Sequence, residues 1–342
     1  MTIKNTVYSV HQSLKDLTNP PVKLTHVYEL LAVAFGFNSY ASLKSVAILT
    51  NLDDPTTANQ DLILQRASLL GYQAFPAAEL VEILEEEGLG TLTFSELAMK
   101  IRDGDHFIDD DLDQLMAAET NAWANYCLAL YYEDFSDDDQ VGSGYWYNQM
   151  QAGRQLSDIE KTWALEYKEQ LAKGNKYEFY LRKAASLGCD LALLDLAEKF
   201  DDAAFFEGNY QNVTSDPMRI AEIAENLNRS KDQYHWLTVA AEAGNIDAMR
   251  ELIESFDSKD LVRCWTWVYL SQLLGEDLTN DHHFAIHENG SSYDDDVGGP
   301  MFVDGTDGIE LEPLEGNQDE LAKFAAEAIF NRHQLTRLLL AR

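Results

Sequence analysis

Positive charge is what this sequence has least of: across 342 residues, 25 Lys and Arg face 59 Asp and Glu, a formal net charge of -34. A field of that sign repels phosphate backbones and anionic headgroups, so direct binding to nucleic acid or to a membrane surface is not expected and a basic protein partner is. Cysteine is also scarce. Cys127, Cys189 and Cys264 are odd in number, widely spaced and set among apolar residues, which argues against a disulfide framework and for reduced thiols in a core. No long hydrophobic run is present, since the longest apolar stretch, near 28–37, is about half a membrane span. The opening MTIKNTVYSVHQSLKDLTNP lacks the apolar segment and cleavage site of a secretory leader. The expected location is the cytoplasm. Missing too are GxSxG, GxxxxGK, GxGxxG and CxxC, so neither an enzyme nor a cofactor is expected.

What the chain does contain is apolar and aromatic residues, 46% and 11% of the total. That is enough to bury a core, so the acidity belongs to a folded surface. Helix punctuation recurs throughout. Asp54-Pro55 and Asp216-Pro217 place a capping carboxylate before a first-turn proline, and Thr93 to Glu96 and Ser157 to Glu160 read as capping boxes. Gly71, Gly88, Gly104, Gly153, Gly174, Gly188, Gly244 and Gly275 each follow an apolar-periodic segment and suit helix ends. Strand-like alternation is rare, which predicts an all-α fold with helices over 39–48, 109–132, 157–173, 176–187, 260–274 and 319–341, among others.

A shift of 56 residues aligns Tyr180, Ala184, Ala185 and Gly188 with Trp236, Ala240, Ala241 and Gly244. Beyond the glycine, Leu193, Leu196, Ala197 and Phe200 fall on Met249, Leu252, Ile253 and Phe256, and then Asp201 on Asp257. The aromatic-to-glycine spacing returns at Tyr145 and Gly153 and at Trp267 and Gly275. Four copies make a repeat. Each reads as a helix hairpin whose apolar stripe is buried only by stacking on its neighbours, which predicts a solenoid.

The motif Phe179, Tyr180, Lys183, Ala184, Ala185, Gly188, with Trp236, Ala240, Ala241 and Gly244, resembles the Sel-one-like repeats, α/α solenoid relatives of the tetratricopeptide repeat. Tyr145, Trp146, Gly153 and Trp267, Ser271, Gly275 match in part, and Leu128, Tyr131 and Tyr132 fit the first helices. The resemblance implies a scaffold that binds other proteins, often an adaptor or enzyme inhibitor, with no catalytic residues to carry over. Near the N-terminus, Leu24, His26, Leu30, Ala32, Gly36, Phe37, Ser39, Tyr40 and Leu43 are similar to a two-helix element appended to various bacterial proteins. The organisation expected is an N-terminal helical region 1–118, a repeat solenoid 119–275, an acidic Gly-rich insert 276–318 and a capping helix 319–342.

Two stretches hold carboxylates without Lys or Arg, one between Arg102 and Arg154 and one between Arg263 and Lys323. Such a stretch keeps a protein soluble, or it presents an unneutralised face that captures a basic partner. Candidate docking residues are Asp109, Asp110 and Asp111, Asp137, Asp138 and Asp139, and Asp294, Asp295 and Asp296. Within the irregular segment 288–315, Asp294, Asp295, Asp296, Asp304 and Asp307 have the oxygens for calcium but not the EF-hand spacing. Val297, Met301, Phe302, Val303, Ile309 and Leu311 could instead build a short hairpin packed on the helices. His283 and His287, beside His282, have the spacing of one helical face, but without HExxH or paired cysteines zinc is the lesser reading, and no metal is assigned. Most of Trp123, Tyr126, Tyr131, Tyr132, Tyr145, Trp146, Tyr147, Trp163 and Tyr167 are expected in the core, with a minority as interface anchors.

The last helix carries an apolar stripe together with Lys323, Arg332, Arg337 and Arg342. The plainer reading is a cap on the solenoid and the sharper one a dimerisation helix, so monomer and dimer both stay open. The function expected is a protein–protein interaction scaffold, an adaptor or immunity-type inhibitor that binds a basic protein through an acidic face. The alternative is a DNA mimic, which would need carboxylates spaced like phosphates along a rod.

Overall fold

A computed structural model of the chain describes residues 3–52, 58–105, 111–133, 141–208, 213, 215–293 and 300–340. Of the described residues 65% are helical and 7% lie in strands, so the protein is all-α in class. None of their helices is long and apolar enough to cross a membrane. The chain divides into two compact units, Met1–Phe205 and Phe206–Arg342, with the boundary inside the 119–275 stretch.

The first unit opens with α1 (Ile3–Lys15), α2 (Leu24–Ala34), α3 (Tyr40–Val46), α4 (Gln60–Leu69) and α5 (Ala77–Glu86). Leu14, Leu30, Leu31, Ile63, Leu80 and Leu84 from four of these helices share one buried core. Two strands complete it. β1 (Ala47–Asn51) pairs antiparallel with β2 (Leu89–Thr93), Ala47 opposite Thr93 and Asn51 opposite Leu89. The helix expected over 39–48 therefore stops at Val46. Ala47, Ile48, Leu49 and Thr50 are all buried, and a short run enclosed on both sides reads alike as helix or strand.

Thr93 then caps α6 (Phe94–Arg102): its hydroxyl accepts from the Glu96 amide while the Glu96 carboxylate accepts from the Thr93 amide. The helix expected over 109–132 is two, α7 (Leu112–Ala117) and α8 (Ala122–Tyr132). The Asn121 side chain accepts from the Ala124 amide and starts α8 afresh, a local bond that competes with helix continuation. After α9 (Val141–Gln151), the expected helices 157–173 and 176–187 are one, α10 (Asp158–Ser186). Interior Gly174 costs about 1 kcal/mol relative to alanine, too little to break a long helix. α11 (Asp190–Phe200) and the short α12 (Ala204–Glu207) lead to the boundary.

The second unit runs through α13 (Pro217–Asn226), α14 (Ser230–Glu242) and α15 (Ile246–Glu251), which continues as a π-helical turn over Leu252–Phe256. Then come α16 (Leu261–Leu274), β3 (His282–Ile286), β4 (Phe302–Thr306) and α17 (Gly316–Leu340). α14 lies between α13 and α15, and α16 packs on α17. Leu237, Met249, Leu252, Trp267, Val268 and Ala326 close the core between them.

The aligned copies share their local geometry. Gly188 and Gly244 have φ of 95° and 96°, and the next amides, of Cys189 and Asn245, each donate 3.0 Å to the carbonyls of Ala184 and Ala240. Gly153 and Gly275 also take positive φ, 81° and 101°. Gly71 and Gly104 end helices in the same way, so the cap alone does not define the repeat. Gly71 even has a buried alanine, Ala67, one turn before it, as Gly188 and Gly244 have Ala184 and Ala240; what sets the pair apart is the helix that follows at once. After Gly275 the chain enters the β3–β4 hairpin instead.

Candidate functional site

Of the nine aspartates singled out for docking, Asp109, Asp110, Asp137, Asp138, Asp139, Asp294, Asp295 and Asp296 lie outside the described residues. Asp111 is buried. The Thr50 hydroxyl donates to its Oδ2 at 3.0 Å and Gln114 Nε2 to its Oδ1 at 3.3 Å. Gln114 in turn brackets Leu49, accepting from its amide at 3.1 Å and donating to its carbonyl at 2.8 Å. Asp111 therefore helps α7 close the open edge of β1, a structural use of its charge.

The two carboxylate-only stretches fall one in each unit and differ in exposure. In the first, Asp103, Asp105, Asp113 and Glu119 are exposed, Glu133 is half-buried and Asp111 is interior. Two of these already hold lysines: Lys4 pairs with Asp113, and Lys183 lies 3.7 Å from Glu119. In the second, Glu276, Asp281, Glu288, Asp304, Asp307, Glu310, Glu312, Glu315 and Glu320 are all exposed. Asp277, half-buried, is held below the usual carboxylate range by the Thr279 hydroxyl.

The acidic segment is mounted on the helices by its ends. Ile309 donates its amide to the Leu278 carbonyl at 2.8 Å, Arg250 Nη1 donates to the Asp307 carbonyl at 3.0 Å, and Trp265 Nε1 donates to the Glu312 carbonyl at 2.8 Å. Ile309 and Leu311 pack against the core of the second unit. A hairpin forms, but not within 288–315 as expected: Phe302–Thr306 pairs with His282–Ile286, which precedes that segment, and Met301, Phe302 and Val303 are exposed rather than packed on helices. Gly305, at φ 130°, is required at the strand pairing, because a Cβ there would lie 1.9 Å from the His282 carbonyl oxygen.

His282 and His283 stand on β3, not on a helix, so the helical spacing read for His283 and His287 does not bring them to one face. The hairpin instead brings His283 to Asp307, 3.1 Å apart, with Asp281 completing a group whose ligand atoms lie within 4.8 Å of one another. Two carboxylates and an imidazole at this separation could hold one divalent cation. The same atoms also satisfy the hairpin itself: Asp281 Oδ1 accepts from the Gly308 amide at 2.8 Å. Sequence reading placed Asp307 with a calcium set and His283 with a zinc set; the strand register that joins them was not visible in either spacing.

The aromatic expectation is corrected. Of the nine tyrosines and tryptophans from Trp123 to Tyr167 expected mainly in the core, Tyr126 alone is buried, while Tyr145 and Trp163 are exposed and the rest half-buried. Two of them, Tyr131 and Tyr132, join Phe179 and Tyr180 in a four-ring cluster between α8 and α10. Tyr132 stacks on Tyr180 with centroids 5.7 Å apart, flanked edge-on by Tyr131 and Phe179. Lys176 Nζ sits over the Tyr132 ring, 4.6 Å from its centroid.

The three cysteines are buried. Burial pushes the Cys189 and Cys264 thiols up to about 11 and the Cys127 thiol upward as well, the opposite of what an attacking thiolate needs. Compared with known protein families, curated proteins and solved structures, the chain matches none.

Proposed function

We propose that this protein is a non-catalytic interaction scaffold, a degenerate Sel-one-like helical-hairpin solenoid that docks a basic protein partner as an adaptor or immunity-type inhibitor. The observation that carries this reading is the acidic segment from Glu276 to Glu320. Its described carboxylates are almost all exposed, with no Lys or Arg between Arg263 and Lys323 to neutralise them. Elsewhere the molecule spends its cations on its own acids. Arg182 is held by Glu178 and Asp202, and Arg229 by Glu207 and Asp232, each contact between 2.6 and 2.8 Å. Carboxylates left over in such a molecule raise the local concentration and capture rate of a cationic partner.

The test is affinity capture from the native cell at about 0.15 M and about 1 M salt. It is repeated with a variant carrying D294N, D295N, D296N, E310Q, E312Q and E315Q. A basic protein that is lost both at high salt and with the variant supports charge docking. Capture indifferent to both rejects it. Displacement of the captured protein by duplex DNA would mark the partner's nucleic-acid site as the surface engaged.

A further inference from the structure

We propose that α17 pairs with the α17 of a second copy of this chain as a parallel two-stranded coiled coil. The helix has two apolar faces on opposite sides. One, made of Ala322, Ala326 and Ile329, is buried in the second unit, where α17 packs on α16. The other is uncovered: Leu321, Phe324, Leu335 and Leu338 are 61%, 72%, 63% and 64% exposed. A terminal cap needs a polar outer side; this helix has the reverse.

The spacing of the outer face selects its occupant. Leu321, Phe324, Ala328, Asn331, Leu335 and Leu338 follow one another at alternating steps of three and four, the a and d positions of a heptad that another helix of the same kind fills. Ala328 and Asn331 are exposed along with the large residues, so the seam is continuous over about 27 Å of helix at 1.5 Å per residue.

Charge points to a second copy in parallel. From Leu321 onward the chain carries Lys323, Arg332, Arg337 and Arg342 against the single acid Glu327. The first turn of the helix adds Asp319 and Glu320, so over Gly316–Leu340 three acids balance three bases; in a molecule of net charge -34, this neutral helix is a surface on which two copies meet with little of the repulsion found elsewhere. Glu327 and Arg332 flank the seam at g and the following e, the positions that attract between the strands of a parallel pair. An antiparallel pair would set Glu327 near Gln334 and Arg332 near Ala325, losing that attraction. Arg332 lies 3.4 Å from Glu242 yet keeps most of its side chain in solvent. Parallel pairing also places Asn331, a d residue, against Asn331 of the second copy, where the two side-chain amides can hydrogen-bond to each other.

Sedimentation equilibrium of the full chain tests the pairing. Expected is a mass of twice 38.6 kDa, with association strengthening as salt screens the repulsion between the acidic bodies. The variant L335E, at an exposed position that leaves the unit's own core untouched, raises the dimer dissociation constant by more than about tenfold with an unchanged circular dichroism spectrum. N331C reads the register: mild oxidation gives a covalent dimer on a non-reducing gel, with Cys127, Cys189 and Cys264 buried and out of reach. A wild type that stays monomeric at high salt, or an L335E variant that dimerises as well as the wild type, overturns the proposal. Failure of N331C to cross-link overturns the parallel arrangement.

Discussion

Each unit buries an aspartate among arginine and aromatic partners, Asp195 in the first and Asp257 in the second, and the two are satisfied in different ways. Around Asp257 the donors converge: Arg263 Nε and Trp267 Nε1 each reach Oδ2 at 2.9 Å, and the Tyr234 hydroxyl reaches Oδ1 at 3.2 Å. The guanidinium also lies over the Tyr234 and Trp267 rings, at 5.4 and 5.6 Å. Around Asp195 the support is a relay. Arg102 Nη1 donates to the Tyr126 hydroxyl at 2.6 Å, Tyr126 donates to Asp195 Oδ2 at 2.6 Å, and the guanidinium itself stays 3.7 Å from the carboxylate. A second acid, Glu133, stands close enough for the Asp195 charge to act on it; burial first and then Asp195 push its carboxyl above the usual range. The difference separates two ways of tolerating excess acid. One neutralises it with a local cation, and the other shares its cations, Arg102 and Lys199, over several groups and leaves a carboxyl that favours its proton.

The sharpest way to break this comparison is to remove the converged acceptor. D257A would leave the Arg263 guanidinium without its close carboxylate and the Trp267 N–H without its acceptor. Breaking a buried, hydrogen-bonded ion pair from one side costs about 3–5 kcal/mol; Asp257 is buried but the Arg263 side chain is 38% exposed, so urea unfolding of D257A should show a loss at the lower end of that range. A loss under about 1 kcal/mol would mean that water replaces the carboxylate there. In the first unit the equivalent cut is Y126F, which takes the donor from Asp195 and the acceptor from Arg102 in one step. The expected cost is smaller, about 1–3 kcal/mol, because Arg102 remains near enough to close the gap. If Y126F proves as costly as D257A, the relay carries as much as the convergent pair, and the distinction between the two centres falls.

Little of this was legible in the sequence, for a reason visible at one pair of residues. The shift of 56 places Asp201 on Asp257, and the two look equivalent. Asp201 ends α11 in the left-handed region at φ 53° and is exposed. Asp257 follows the π-helical turn Leu252–Phe256, whose wider loop reorients the chain end, and is buried. A π-turn is a rare one-turn departure from the α-helix, and the matched apolar positions of the two copies did not mark it. The caps, by contrast, are local and were readable: Thr93 with Glu96 and Ser157 with Glu160 form the boxes their spacing implies, and Gly188 and Gly244 end their helices as expected. Short apolar runs and strand registers are not local in this sense. β1 was hidden in an apolar run, and the meeting of His283 with Asp307 depends on a pairing across an intervening loop. The acidic segment was legible as composition, but its exposure was not, because Asp111 and Glu315 are alike in sequence and differ in what folds over them.

The mildest expected effect is also the one that vanishes as the pH falls. Glu133 has its folded value raised, so the folded protein takes up a proton more readily than the unfolded chain whose carboxyl titrates near 4.5. Above the raised value both states are ionised and the burial cost is fully present; below 4.5 both are protonated and it is gone. E133Q removes the titration while leaving a carbonyl to accept from the Tyr177 hydroxyl, which lies 3.4 Å from Glu133 Oε1. The variant should therefore unfold at higher urea than the wild type at pH 7, and the gap should close as the pH falls through that window. Glu96 works in the other direction: Thr93 holds its carboxyl below the usual range, so its contribution is present above 4.5 and is lost on acidification. E96Q should accordingly be the less stable protein at pH 7 and converge with the wild type in acid. Should E133Q instead lose stability at pH 7, Glu133 would be ionised and well paired, and the first unit would tolerate its acids as the second does.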